Sequence, residues 1–215
     1  MILTYYCARE KPLCYLSAMP KRLSLDAEPA ENFLEGKLLI AMPGMPDPRF
    51  EKSVIFMCSH SAKGAMGLII NKPIEGLSFR ELMEKFTIDV TAGGLDTPIL
   101  FGGPVNMGRG FVLHSADYGT ANVTLPVTSE ISLTATTDIL EAIAKGQGPA
   151  KSLLALGYAG WGDGQIESEI LANGWIHCDA DPTLIFDTAY DAKWETAIGK
   201  LGAGISGLSA EAGRA

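Results

Sequence analysis

Three short apolar runs near the start of the chain restrict its fold more than any other feature. They are KLLIAM (37–42), SVIFMC (53–58) and MGLIIN (66–71). Each has the length of a β-strand and is rich in large aliphatic residues, and none alternates strictly between apolar and polar positions. A continuous apolar run predicts a strand that is covered on both faces. The chain should therefore build a sheet with packed structure on each side.

The rest of the chain predicts a few helices among further strands. Helices are expected at LSFRELMEKF (77–86), TTDILEAIAKGQG (136–148), DGQIESEILANGW (163–175) and AYDAKWETAIGKL (189–201). Ser78 can cap the first, with Glu81 three residues later. Strands are expected at PILFGG (98–103), GFVLH (110–114), WIHC (175–178) and TLIF (183–186), whereas KSLLALGYAGW (151–161) suits a strand or a buried helix. Strand clusters with few helices predict the α+β class.

The length of 215 residues suits one domain with an amino-terminal extension. We expect residues 1–32 to be a poorly ordered extension and residues 33–215 to form the domain. Met19 opens a polar stretch that would serve equally well as a native start. No basic cluster followed by an apolar block is present in this segment, which argues against a secretory signal.

The composition excludes several classes of partner and points to a cytoplasmic protein. The formal net charge is −8 and no dense basic stripe occurs, so we expect neither direct nucleic-acid binding nor membrane association. The longest apolar runs are about half the length that crosses a bilayer. The four cysteines form no CxxC pair and read as free thiols in a reducing compartment. GAGISG (202–207) fits GxGxxG but follows a helix, so we expect no cofactor.

Cys58 and His60 are the first candidates for chemistry. In an extended strand they would point to the same side with Cα atoms about 6.5 Å apart. An imidazole beside a thiol can make it nucleophilic. The alternatives are a buried structural cysteine with a hydrogen-bonded histidine, or a metal site that His114, His177 or Cys178 would have to complete. We expect no metal.

Two further segments combine glycine with polar residues. FGGPVNMGRGF (101–111) could bring backbone N–H groups and Arg109 to an anion, or make a tight turn between strands. YAGWGDGQIESEI (158–170) places Glu167 on one helical face with Asp163, while Glu169 projects elsewhere. These acids could act on a sugar beside the aromatic residues, or they could cap and solvate the start of a helix.

Four segments in order resemble the motifs of the AlgH/YqgE family of bacterial proteins. They are GKLLIAMPGMPDPRFEKSVIFMCSH, GAMGLIINKP, FGGPV…RGFVLH and LLALGYAGWGDGQIESEILANGW. The resemblance implies an α+β fold of coiled, bifurcated mixed sheets with a few packed helices, in a cytosolic protein. The family is labelled as regulating transcription, but the chain shows no helix-turn-helix and its charge has the wrong sign for direct DNA contact.

These observations predict a regulatory module that binds a small ligand or a protein. Its motif residues come from loops and strand ends far apart in sequence, and we expect them to line one shared concavity. The candidate binding residues are His60, Asn71, Lys72, Gly102, Gly103, Arg109, His114, Trp161, Gln165 and Glu167. One alternative is an enzyme that uses Cys58 with His60 or His114. Another is a regulator that acts on transcription through a partner.

Overall fold

A computed structural model describes residues 34–91, 97–119 and 123–202, which form one α+β domain. The expected extension at residues 1–32 lies outside the described residues. Ten strands and four α-helices occur in the described part. The strands are β1 (Lys37–Ala41), β2 (Val54–Ser61), β3 (Gly64–Ile69), β4 (Pro73–Ser78), β5 (Pro98–Phe101), β6 (Val105–Ser115), β7 (Thr124–Pro126), β8 (Ile131–Thr134), β9 (Ser152–Trp161) and β10 (Trp175–Asp179). The helices are α1 (Phe79–Lys85), α2 (Thr137–Ala144), α3 (Gln165–Leu171) and α4 (Lys193–Lys200).

The strands form one mixed sheet that branches at β9. The main path runs β10-β1-β2-β3-β9-β6-β8-β7, and β5 leaves it by pairing with β9 and with β4. The β5–β9 pair is parallel, whereas β9 pairs antiparallel with both β3 and β6. The predicted α+β class with a coiled, bifurcated mixed sheet is confirmed.

Strand β2 shows why the apolar runs are continuous. Val54, Phe56 and Cys58 face one hydrophobic cluster, while Ile55 and Met57 face another. The first cluster packs under α4 and the second under α3. Because each fully buried large side chain contributes about 1.5–3 kcal/mol, a strand buried on both faces carries a large share of the stability.

Most predicted elements are present, and one is wrong. Helix α1 begins with the expected capping box, in which the Glu81 N–H donates to Ser78 Oγ and the Ser78 N–H donates to Glu81 Oε2. The ambiguous segment 151–161 is a strand, β9. Strands β4, β7 and β8 were not predicted.

The segment TLIF, predicted as a strand, is one turn of π-helix at Thr183–Asp187. The Thr188 N–H donates to the Thr183 carbonyl oxygen over 3.1 Å. The Lys193 ammonium donates to the carbonyl oxygens of Leu184, Ile185 and Thr188 at 2.9, 2.7 and 2.8 Å. A lysine nine residues downstream of Leu184 therefore holds these carbonyl groups, which is a contact that a short apolar run does not reveal.

Candidate functional site

A β-bulge at Cys58 separates the two residues that the sequence placed together. Met57 pairs with Gly67 and Ser59 pairs with Met66, so Cys58 is an extra residue without a partner across the ladder. Cys58 lies in the cluster under α4, whereas His60 pairs with Ala65, which belongs to the cluster under α3. The expectation that Cys58 and His60 share a face is therefore wrong, because the bulge shifts the alternation of the strand by one residue.

The Cys58 thiol is closed off from solvent. The residue is 1% exposed and its Sγ donates to the Phe56 carbonyl oxygen over 3.6 Å. Burial raises the pKa of the thiol well above its ordinary value. Because the thiolate is the reactive form, this sulfur has the features of an inert structural cysteine. These positions contradict the hypothesis of a Cys58 nucleophile with His60 or His114 as its base.

His60 connects two distant elements to β2. The Leu34 N–H donates to His60 Nδ1 over 3.0 Å, and this acceptor role leaves the hydrogen of the neutral ring on Nε2. The Nε2–H then donates to Glu167 Oε1 over 2.8 Å. The His60 side chain is 2% exposed. These two hydrogen bonds fix the segment just before β1 and the first turn of α3 to the end of β2.

Glu169 organises the segment YAGWGDGQIESEI (158–170), a role that the sequence pattern did not reveal. Its Oε2 accepts from the indole N–H groups of Trp161 and Trp175 at 2.9 and 2.8 Å. Its Oε1 accepts from the Gln165 side-chain amide over 2.8 Å, and Gln165 Oε1 accepts from the Gly162 N–H over 3.0 Å. Buried indole groups are donors that need an acceptor, so the two tryptophans beside this acidic helix were the available signal.

Asn71 and Lys72 hold the loop between β1 and β2. Asn71 Oδ1 accepts from the Val54 N–H and its Nδ2 donates to the Lys52 carbonyl oxygen, both over 2.8 Å. Lys72 Nζ donates to the Arg49 carbonyl oxygen over 2.8 Å. Burial lowers the pKa of Lys72. Both side chains therefore bind the backbone of this loop or of the first residue of β2.

The segment FGGPVNMGRGF (101–111) contributes close packing. A Cβ on Gly102 would lie 2.3 Å from the Gly157 carbonyl oxygen, and one on Gly103 would lie 2.2 Å from the Tyr158 carbonyl carbon. Glycine at these positions lets the chain pass directly against β9. The exposed Arg109 guanidinium lies 5.2 Å from the centre of the Phe111 ring.

His114 is buried apart from the other candidates, between β6 and β8. Its Nδ1–H donates to the Ser115 carbonyl oxygen over 2.9 Å, and its Nε2 accepts from Thr134 Oγ1 over 3.0 Å. Both hydrogen bonds suit the neutral ring, and burial lowers the pKa of His114. This arrangement is that of a satisfied core histidine.

The structure brings some of the candidates together but does not give all of them a common concavity. His60, Trp161, Gln165 and Glu167 meet around α3, whereas Asn71 and Lys72, the Gly102–Gly103 pair with Arg109, and His114 occupy three other places. A cavity of about 260 Å³ is lined by Glu35, Gly36, Lys37, Thr128, Ser129, Glu130, Ile131, Asp179, Ala180 and Pro182. A cleft of about 230 Å³ is lined by Met42, Ile170, Asn173, Trp175, Ile176 and His177. No candidate binding residue lines either concavity. Most of these polar side chains instead form hydrogen bonds with nearby backbone or with one another.

The second concavity, here called the α3–β10 cleft, lies beside an exposed apolar residue. Leu171 ends α3 immediately after the cleft residue Ile170 and is 85% exposed. Asn173 and His177 add polar groups to the largely apolar lining. In residues 34–91, 97–119 and 123–202, no group of three or more His, Cys, Asp or Glu residues could hold a metal ion. No helix within those same ranges is long and apolar enough to cross a membrane.

Comparison with known proteins identifies one family over most of the chain. The AlgH-like family profile matches residues 38–206. A UPF0301 protein from Jannaschia sp. is 55% identical over 183 residues, covering 85% of this chain and 95% of that protein. A UPF0301 protein from Azorhizobium caulinodans is 49% identical over 191 residues, covering 86% of this chain and 93% of that protein.

Two solved structures share the fold. The solution structure of the AlgH protein from Pseudomonas aeruginosa is 40% identical with a TM-score of 0.70, covering 88% of this chain and 100% of that one. A crystal structure of a protein from Corynebacterium diphtheriae is 18% identical with a TM-score of 0.65, covering 80% of this chain and 90% of that one. The second likeness concerns the fold alone.

Proposed function

Since the chain belongs to the AlgH-like family and its motif residues make internal contacts, we propose that it is a cytoplasmic, non-catalytic regulatory module that binds another protein through the α3–β10 cleft. Leu171 and the cleft would together receive apolar side chains of that partner. The observation that carries the proposal is that Leu171, which follows the cleft residue Ile170 in α3, is 85% exposed, and that the cleft itself has a largely apolar lining.

A partner bound at the cleft would remove the Leu171 side chain from water. Covering a fully exposed leucine contributes about 1.5–3 kcal/mol, which is a large fraction of the energy of a transient protein contact. A single exposed leucine is common on protein surfaces. An exposed leucine beside an apolar cleft with a polar rim is instead typical of an interaction site.

Glu167 and Glu169 hold α3, which carries part of this surface, against the strands of the sheet. Glu169 joins α3 to Trp161 of β9 and to Trp175 of β10, and Glu167 joins the same helix to His60 of β2. A docking surface built on rigid elements loses less conformational entropy on binding. In the proposal, the segment YAGWGDGQIESEI (158–170) sets the position of α3 against the sheet and so preserves the shape of the cleft.

The test places a photo-crosslinking amino acid at position 171 of the full chain in living cells, with a matched probe at Leu125. Leu125 is 47% exposed on β7, at the opposite end of the sheet from β10. We expect one defined protein adduct from position 171 and none from position 125. The partner is then purified, and Leu171→Asp should weaken its binding about tenfold or more in isothermal titration calorimetry, whereas Leu125→Asp should leave it unchanged.

Two results would overturn the proposal. One is the absence of any adduct that is specific to position 171. The other is an equal loss of affinity from Leu171→Asp and Leu125→Asp, which would show that the contact does not depend on the cleft.

A further inference from the structure

Strand β10 is the last strand of the sheet that the described residues form, and its hydrogen-bonding pattern shows which backbone groups face outward. It pairs with β1, with Ile40 opposite Ile176 and Leu38 opposite Cys178. The Met42 N–H donates to the Gly174 carbonyl oxygen over 3.0 Å, in the same register. Because bonded and non-bonded pairs alternate in an antiparallel ladder, Ile176 and Cys178 bond to β1. The backbone groups of Trp175, His177 and Asp179 therefore point away from β1.

The outward edge of β10 and the α3–β10 cleft are parts of one surface. Trp175, Ile176 and His177 belong to the strand and also line the cleft. Among the described residues, β1 is the partner strand of β10 and the other edge has none. An added strand would gain main-chain hydrogen bonds at His177 and would direct one side chain into the cleft.

The charge at the far end of the strand indicates the chemistry of the added segment. The Asp179 side chain is 91% exposed, with Oδ1 held by Lys37 Nζ over 2.7 Å. The hydrogen bond from Lys37 lowers the pKa of Asp179, so the carboxylate is charged at neutral pH. The whole chain carries a formal charge of −8, which favours a cationic partner over an acidic one.

A second copy of the chain fits this edge poorly. Two β10 strands pairing about a two-fold axis through His177 would place Asp179 of each copy opposite Trp175 of the other. The ion pair between Asp179 and Lys37 of each copy would then lie against the apolar cleft of the other. Taking paired charges out of water costs free energy that their mutual attraction often fails to repay. Two chains of the same net charge also repel each other.

Building on the proposed function, we propose that the occupant of the α3–β10 cleft is an extended segment of the partner protein that adds to β10 as an antiparallel strand. The segment places a large aliphatic side chain in the cleft at Trp175 and a lysine or arginine beside Asp179. Trp175 and Asp179 are four residues apart on the same face, a separation of about 13 Å along a strand. The added segment therefore carries the basic residue four positions before the aliphatic one.

The experiment selects binding peptides from a library of random decapeptides displayed against the immobilised full chain. We expect enrichment of a basic residue followed four positions later by Leu, Ile or Met. The decisive variant is His177→Pro, which removes an N–H that points away from β1 and therefore spares the existing ladder. The matched control is His177→Ala, which keeps the N–H.

The expected results separate strand addition from other contacts. His177→Pro should weaken the selected peptides about tenfold or more, whereas His177→Ala should change affinity less than about threefold. Asp179→Asn should weaken them about two- to fivefold, as expected for an exposed ion pair. In 15N–1H spectra of the unmodified chain, the amide signals of His177 and Asp179 should shift on binding.

Failure of this inference is distinguishable from failure of the proposed function. If position 171 crosslinks to a partner but that partner binds His177→Pro and His177→Ala equally, the cleft docks a protein without strand addition. Enriched peptides that lack the basic residue, or no enrichment at all, would also overturn the inference. A dimer in sedimentation that His177→Pro converts to monomer would assign the edge to a second copy instead.

Discussion

Gly157 in β9 occupies a position where two independent constraints disfavour any other residue. Its φ is +71°, in the left-handed region that favours glycine. A Cβ at this position would also lie 2.4 Å from the Gly103 carbonyl oxygen and 2.9 Å from the Val105 carbonyl oxygen. Both neighbours are backbone atoms, so the clash cannot be relieved by rotating a side chain.

Two other glycines allow these constraints to be separated. Gly76 has φ +66° and no atom within 4 Å of the place where a Cβ would lie, while Gly108 has neither a left-handed φ nor a neighbour within 4 Å. For alanine, the left-handed conformation costs about 1–2 kcal/mol. Forcing an extra methyl group into a packed site adds about 1–3 kcal/mol. We therefore expect destabilisation of about 3 kcal/mol for Gly157→Ala, about 1 kcal/mol for Gly76→Ala, and less than about 0.5 kcal/mol for Gly108→Ala.

The measurement is the free energy of unfolding of the full chain from urea denaturation, followed by tryptophan fluorescence and circular dichroism. The slope with denaturant should stay constant across the three variants, since the same surface is exposed on unfolding. Equal losses in Gly157→Ala and Gly76→Ala would refute the reasoning, because the close approach of Gly103 to β9 would then carry no cost.

Three further outcomes follow from buried polar groups. In urea denaturation, Lys193→Met should lower the free energy of unfolding by about 3 kcal/mol, because three carbonyl groups lose their donor. A loss below about 1 kcal/mol would contradict this prediction. In a variant with serine at the other three cysteines, Cys58 should resist Ellman's reagent in the native state and react when urea is added. Rapid reaction of Cys58 in the folded protein would show that the thiol is accessible and contradict the prediction. Burial lowers the pKa of His114 below its ordinary 6.5, so the unfolded chain binds more protons in the range just below pH 6.5 and stability should fall as the pH drops through it. His114→Gln should flatten that slope between about pH 7 and 5, and an unchanged slope would exclude His114 as its source.

Strand β2 and helix α3 show which structural features can be predicted from neighbouring residues in the sequence and which cannot. The apolar run of β2 correctly predicts a strand with two buried faces, but the bulge depends on pairing with β3 and reverses the relation of Cys58 to His60. The capping box of α1 is correctly predicted because both partners lie within one turn. The roles of Glu167 and Glu169 are different, since they depend on which strands lie under the helix. Glu167 meets His60 across 107 positions of sequence.

The amino-acid pattern by itself determined most of the strands, the helices and the burial of the sheet on both faces, because side-chain period and capping act between near neighbours. The motif residues could also be identified from the chain alone, but what they contact could not. Tertiary structure decided that most of them make contacts inside the protein. It also placed the α3–β10 cleft beside an edge of β10 that no other described strand pairs with. Those outcomes depend on strand register, on the branch at β9 and on which strand ends the sheet, and each is set by pairing between segments distant in sequence.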